Sequence, residues 1–345
     1  MLPEDGSSPP LLAAARDRGA LTVLAHATGD HNRPASAEAL FCLLAGGLYD
    51  ALDISRGGND YAFWQTLLRM GLRIPAVAGG GETPNLSMYA RVSPRSGTQR
   101  EYLQALREGT SIVSNGPFLR MTVWEQTEEN GESVPATFGG MLNPSARRRQ
   151  VRVAAIACSD PADFIGKVEL LYNGKVLESA QGHSGQKTME VVWNDLALRD
   201  NGCLQVRYIS QAAHLWAISN PVYIGEAPKS FSGTATSEVS VRLRTRDNTP
   251  QTVEVVGENF GVQLFARRIR LPQIFSCRLP ATAALNINIP GRASLRKTLY
   301  ELSGVKAYGE KLTAVADPRA LFLPENLRKF RDLAKNIETE ITVDD

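Results

Sequence analysis

Between Pro9 and Ser114 the apolar positions recur first with a helical period and then with a strand period, four times over. Leu11, Leu12 and Ala15 share one face of a helix predicted over 9–18; Gly19 stops it, and 21–25 reads as a buried strand. Ser36 is placed to cap a second helix over 37–46, striped by Leu40, Phe41 and Leu44, and 49–54 follows as a strand. A third helix over 59–70 turns Tyr61, Trp64, Leu67 and Leu68 inward, ends at Gly71 and leads into the strand 74–78. The fourth pair is a helix over 98–108, with Tyr102, Leu103 and Leu106 on one face, and the strand 111–114. Helix and strand in strict alternation predict a parallel sheet with helices packed outside it. Four such units fall short of a closed barrel of about eight, so a partial parallel (β/α) barrel-like unit is expected.

After Asn115-Gly116-Pro117 the period shortens to two. The runs 151–156 and 167–172 alternate like half-buried strands, and Asn173-Gly174 between 167–172 and Val176-Leu177 is a strong hairpin signal. Trp193, the strand 204–208 and Pro221-Val222-Tyr223-Ile224 continue an antiparallel sandwich. A Ser/Thr/Gly stretch over 230–237 reads as a linker. Strand-like runs at 239–244, 252–256, 262–265 and 285–289 follow, and then an amphipathic helix over 324–337 with Leu327, Phe330, Ala334 and Ile337 on one face. The expected fold class is α/β plus all-β: the barrel-like unit over 1–116, a β-sandwich over 117–229, a small β-sandwich module over 230–310 and a helical extension over 311–345.

Composition narrows the partners. A chain of 345 residues is long enough for two or three cores. Lys+Arg 38 against Asp+Glu 36 leaves no general electrostatic footprint for nucleic acid, which is not expected as a partner. Cys42, Cys158, Cys203 and Cys277 have no paired spacing, so they read as core thiols rather than a zinc cluster or disulfide framework. No run is long enough to span a bilayer, and the first residues lack a charged-then-apolar signal pattern. The compartment stays open.

In parallel α/β sheets ligands bind beyond the carboxyl ends of the strands. After the first strand come His26, Asp30 and His31, imidazole and carboxylate groups able to converge on a divalent metal, against the blander reading of satisfied loop residues. Asp53, ending the second strand, is either a ligand or the cap of the following turn, and the turn is favoured. The third strand runs into Gly79-Gly80-Gly81-Glu82, whose backbone amides could cradle an anionic substrate, although the loop lacks the Gly-Lys-Ser/Thr ending of a phosphate loop. Trp124, Trp193 and Trp216 offer a carbohydrate platform on one reading and sandwich core on the favoured one.

Several of these segments in their order carry a resemblance. Gly19-Ala20 with its strand and His26, Tyr49-Asp50-Ala51-Leu52-Asp53-Ile54, the stretch Trp64 to Gly79, Leu106-Arg107-Glu108-Gly109 and Ser111 to Pro117 resemble the PHP superfamily of metallohydrolases, and its CehA/McbA-like branch most of all. Members of that branch join the PHP domain to a β-sandwich, which Lys167 to Gly174 and His214 with Ser219 to Ile224 resemble; the match spans about 10–225. The resemblance implies a metal-dependent hydrolase of an ester or phosphoester, with zinc, manganese or iron activating water, and it marks His26 as a metal ligand. The family's opening His-x-His strand has no counterpart before His26, and Gly81 stands where the family has a metal-binding Asp, with Glu82 one residue away. The domain is therefore expected to match only the later half of a PHP unit, with weak activity or a partner chain completing the site, and no catalytic residue is assigned. The family likeness is compatible with a secreted or periplasmic protein. Residues 237–300 are similar to transthyretin-like regulatory domains of carboxypeptidases, which implies packing or adhesion. The alternative function is a catalytically inactive binding or scaffold protein using its β-sandwich modules.

Overall fold

A computed structural model describes residues 8–25, 27, 37–44, 47–55, 58–79, 87–90, 97–125, 135–142, 149–158, 166–183, 186–198, 201–210, 214–225, 236–259, 262–313 and 322–343. In chain order the first elements are α1 (Ser8–Asp17), β1 (Val23–Leu24), α2 (Ala37–Leu44), β2 (Ala51–Asp53), α3 (Gly58–Arg69), β3 (Ala76–Val77), β4 (Ser87–Ala90), α4 (Gln99–Glu108) and β5 (Ser111–Ser114). Strands dominate from there: β6 (Phe118–Glu125), β7 (Met141–Leu142), β8 (Arg149–Cys158), β9 (Lys167–Tyr172), β10 (Lys175–Gln181), β11 (Thr188–Leu198), β12 (Gly202–Ser210), β13 (Leu215–Ser219) and β14 (Val222–Ile224). The last stretch holds β15 (Thr236–Arg244), β16 (Thr252–Asn259), β17 (Val262–Arg270), β18 (Gln273–Pro280), β19 (Ala284–Asn288) and β20 (Leu295–Thr298). It ends with α5 (Leu299–Leu302), α6 (Val305–Thr313), α7 (Pro324–Lys335) and β21 (Asn336–Thr342). The described chain is thus mostly strand, in several antiparallel sheets, with fewer helices.

Two compact units divide the chain differently from its linear order. One comprises Met1–Leu24, Thr28–Tyr49 and Phe231–Asp345; the other comprises Ala25–Ala27 and Asp50–Ser230.

In the second unit an eight-stranded sheet runs β10-β9-β12-β13-β5-β4, with β14 pairing β12 and β7, and a three-stranded sheet runs β11-β8-β6. Period-two alternation explains their packing. Val168, Leu170, Leu204, Val206, Tyr208 and Ala217 from the large sheet meet Leu119, Met121, Val123, Val151, Val153 and Ala155 from the small one in a single buried cluster, the core of a β-sandwich. Asn173 and Gly174, with φ of 51° and 76°, form the left-handed two-residue turn of the β9–β10 hairpin. Pro221 has no N–H, so the strand along one edge of β12 breaks there into β13 and β14.

The same unit holds the later of the expected α/β elements, from β2 to β5, whereas α1, β1 and α2 fall in the other unit. Thr98 caps α4 through a reciprocal capping box with Glu101, and Gly109 closes the helix with φ 72°. On α3, Phe63, Trp64, Leu67 and Leu68 are buried, and the Trp64 indole N–H donates to Ile74 O at 2.8 Å. β2 and β3 pair in parallel, Leu52 opposite Ala76 and Asp53 opposite Val77. β5 departs from the expected all-parallel order: it lies antiparallel to β4 and to β13, and Ile112 joins the sandwich core. Its direction is set by β13, which reaches it from about a hundred residues downstream.

In the first unit, β15 pairs β18 antiparallel and β21 in parallel, and β17-β16-β19-β20 forms a four-stranded antiparallel sheet. Ser237, Val239, Val241 and Leu243 are the buried row of β15. The helical stripe of α2 is buried and Phe41 meets Tyr300 with ring centroids 5.6 Å apart, while Phe330 of α7 meets Tyr308 of α6 at 5.1 Å. Residues 336–342, whose start was expected to be the end of a helix, are instead a strand with Ile337 and Ile341 buried.

Candidate functional site

Parallel pairing brings the carboxyl ends of β2 and β3 to the same end of the pair. Leu52 N donates to Pro75 O at 2.9 Å and Ile54 N to Val77 O at 3.0 Å, so Asp53 emerges beside Val77, Ala78 and Gly79. Asp53 is only 3% exposed, and its Oδ1 accepts the Ser55 backbone N–H at 2.8 Å, an Asx turn that fixes the carboxylate against its own loop. Ser55 is also buried, and its Oγ has no hydrogen-bond partner among the described residues. α3 begins at Gly58, with Asp60 buried in its first turn. The other predicted positions, His26, Asp30, His31, Gly80, Gly81 and Glu82, lie outside the described residues. Among the described residues no three His, Cys, Asp or Glu side chains come together as a metal-binding group. Of the candidate donors, the structure therefore gives the surroundings of Asp53 alone.

What holds this strand end in place was not read from the sequence. Asn220, 1% exposed between β13 and β14, accepts the Ala76 N–H through Oδ1 at 2.7 Å. Its Nδ2 donates to Ala76 O at 3.0 Å, Ser111 O at 3.1 Å and Ser111 Oγ at 2.9 Å. The side-chain amide acts as a short piece of strand, tying β3 to β5. The only signal in the sequence is an Asn preceding Pro221 where a strand must break.

A second polar cluster sits between α3 and the face of the large sheet turned away from the sandwich core. Glu169, 3% exposed, receives Arg207 Nε at 2.9 Å and Lys167 Nζ at 2.5 Å, and Arg207 Nη1 reaches Tyr61 Oη at 3.5 Å. Burial pushes the Glu169 carboxyl up, but hydrogen bonds and charge from Lys167 and Arg207 outweigh it and hold the group below its ordinary value. Burial raises the Tyr61 hydroxyl, against the lowering pull of Arg207. Burial also pushes the Cys203 thiol up to about 12, too high for a nucleophile at neutral pH. These groups satisfy one another and read as an internal ion cluster that seats α3. Of the tryptophans, Trp193 packs against the sandwich core, and the Arg152 guanidinium lies 5.4 Å over the Trp124 ring.

No known protein family matches the chain, and no curated protein matches it either. Among solved structures, the crystal structure of CHIR-AB1 is similar at 20% identity and a TM-score of 0.19, covering 31% of this chain and 94% of that one. The human OSCAR ligand-binding domain is similar at 13% identity and a TM-score of 0.18, covering 51% of this chain and 94% of that one. Likenesses at such scores assign neither fold nor function.

Proposed function

We propose that the chain is a hydrolase-like protein of the PHP type, binding a small ester or phosphoester at the carboxyl ends of β2 and β3. The support for this reading is the parallel β2–β3 pair, which sets the buried Asp53 opposite Val77 where the chain runs on to Gly79. Its cofactor would be a divalent metal, zinc, manganese or iron, for which the sequence offers His26 as the first ligand choice and Asp30 and His31 as further ones; imidazole and carboxylate suit these ions. Such an ion, when bound, would supply a water of lowered pKa and positive charge against a developing oxyanion. This chain's own residues orient: the Asx turn fixes Asp53, and Asn220 holds β3 in register. With so few ligands, turnover is slow unless a partner chain completes the site.

Calorimetry with zinc and with manganese on the intact chain tests the reading. Weak single-site binding that disappears in His26→Ala is expected, together with hydrolysis of p-nitrophenyl phosphate or acetate far below about 1 per second. Tight binding of several ions indifferent to His26→Ala would place the metal elsewhere. No metal binding at all would leave the second reading, a catalytically inactive binding protein, which the open strand edges of the β-modules favour.

A further inference from the structure

β17 is an edge strand paired only with β16, so the backbone groups along its other side have no strand partner among the described residues. Only Ile269 of its nine residues is buried, and Val262 and Leu264 are 63% and 45% exposed. The strand also carries Arg267, Arg268 and Arg270 and no acidic residue. Arg267 lies over the rings of Phe265 and Phe275, 5.9 and 5.8 Å from their centroids. Arg268 stands opposite Glu254, but Glu254 Oε2 is occupied by Asn288 Nδ2 at 3.1 Å, and neither Arg268 nor Arg270 makes an ion pair among the described residues.

We propose that β17 is a docking edge for an extended acidic segment of a partner protein, which adds to the sheet as a further strand. Main-chain hydrogen bonds along the free edge supply the affinity of such an addition, and side chains on alternate positions supply the selectivity. Unpaired arginines on an edge keep ordinary strands away, and they become attractive only when the incoming strand is acidic. A second copy of β17 does not fit, because pairing would set its arginines along the same seam as these. β10, the comparably exposed edge of the other unit, mixes Lys175 with Glu178 and has no such sign preference.

The test is fluorescence anisotropy of the intact chain with a labelled peptide alternating glutamate and valine. Three controls accompany it: the peptide with lysine for glutamate, the peptide with proline for valine, and an oligothymidylate. Saturable binding is expected for the glutamate-valine peptide alone, with slowed amide hydrogen exchange across 262–270. Arg268→Glu with Arg270→Glu should weaken it about tenfold, the size of two exposed ion pairs. Arg268→Lys with Arg270→Lys, which keeps the charge, should bind nearly as the parent does. Equal binding of the proline peptide or the oligothymidylate would reduce the effect to attraction of any polyanion and overturn the proposal. So would unchanged exchange in β17, or the absence of saturable binding.

Discussion

Replacing Asn220 with alanine should destabilise its unit by about 3 kcal/mol, far more than one exposed polar contact is worth. The magnitude follows from what is left behind. Ala76 N–H and Ala76 O both spend their hydrogen bonds on the Asn220 amide, at 2.7 and 3.0 Å, while the other two bonds go to Ser111. Ser111 O keeps a partner, because it also accepts the Asn220 backbone N–H at 3.1 Å. Two buried backbone groups at Ala76 are therefore orphaned, each costing about 1–3 kcal/mol, with water entry the main relief. Asn220→Asp sharpens the test. An aspartate oxygen can still accept from Ala76 N–H, but the other oxygen would face Ala76 O and Ser111 O without a proton to share. That carboxyl should have a raised folded pKa, so the variant's deficit is full at neutral pH and shrinks as the pH falls and the group protonates. Urea unfolding followed by far-ultraviolet circular dichroism and tryptophan fluorescence measures both, and Ser111→Ala closes a double-mutant cycle. A loss below about 1 kcal/mol for Asn220→Ala, with no coupling to Ser111, would refute the clamp.

Glu169→Gln should flatten the acid side of the stability profile. The parent's carboxyl lies below its ordinary value, so its contribution is present above the ordinary carboxylate range and is lost as the pH falls through the folded value; urea midpoints from about pH 7 to about pH 3 read the difference. Gly139→Ala should cost several kcal/mol, because Gly139 has φ 72° and an added Cβ would lie 2.0 Å from Glu108 O, a backbone atom with little room to yield; the thermal midpoint of the purified variant checks it. Cys203, buried and with its thiol pushed up to about 12, should resist iodoacetamide in the folded chain, and alkylation of Cys203 as fast as in urea would contradict its burial.

The parts of the fold that were legible in the sequence are those decided within a dozen residues. Gly71, at φ 76°, ends a helix where the apolar period stops, and α4 lies within the helix expected over 98–108 from its stripe of Tyr102, Leu103 and Leu106. Asn173-Gly174 likewise announces its hairpin, because both residues accept the left-handed region. The direction of β5 is a different kind of fact. Ser111–Ser114 satisfies a strand pattern equally well in a parallel or an antiparallel sheet, and the choice is made by Ala217, Ile218 and Ser219 pairing from far along the chain. β21 was hidden for the same reason: Ile337 continues the helical stripe of Leu327, Phe330 and Ala334, and only the parallel seam with β15, Glu238 opposite Asn336, shows where the helix gives way. Phe41 meeting Tyr300 likewise joins segments that sequence order assigns to different domains.

The candidate site divides along the same line. That Asp53 ends a strand and suits a turn is a local inference, and the Ser55 N–H on its Oδ1 is a local contact. That a single amide from residue 220 fixes the neighbouring strand is not local, since nothing around Asn220 distinguishes it from any loop asparagine except the proline that follows. Buried polar side chains are costly unless fully bonded, so an asparagine 1% exposed with all of its side-chain hydrogen bonds directed at two strands is held there by the fold. The orientation of the β2–β3 end, and with it any chemistry performed there, thus depends on the β-sandwich that supplies Asn220, so the sandwich is part of the site's support rather than an appendage to it.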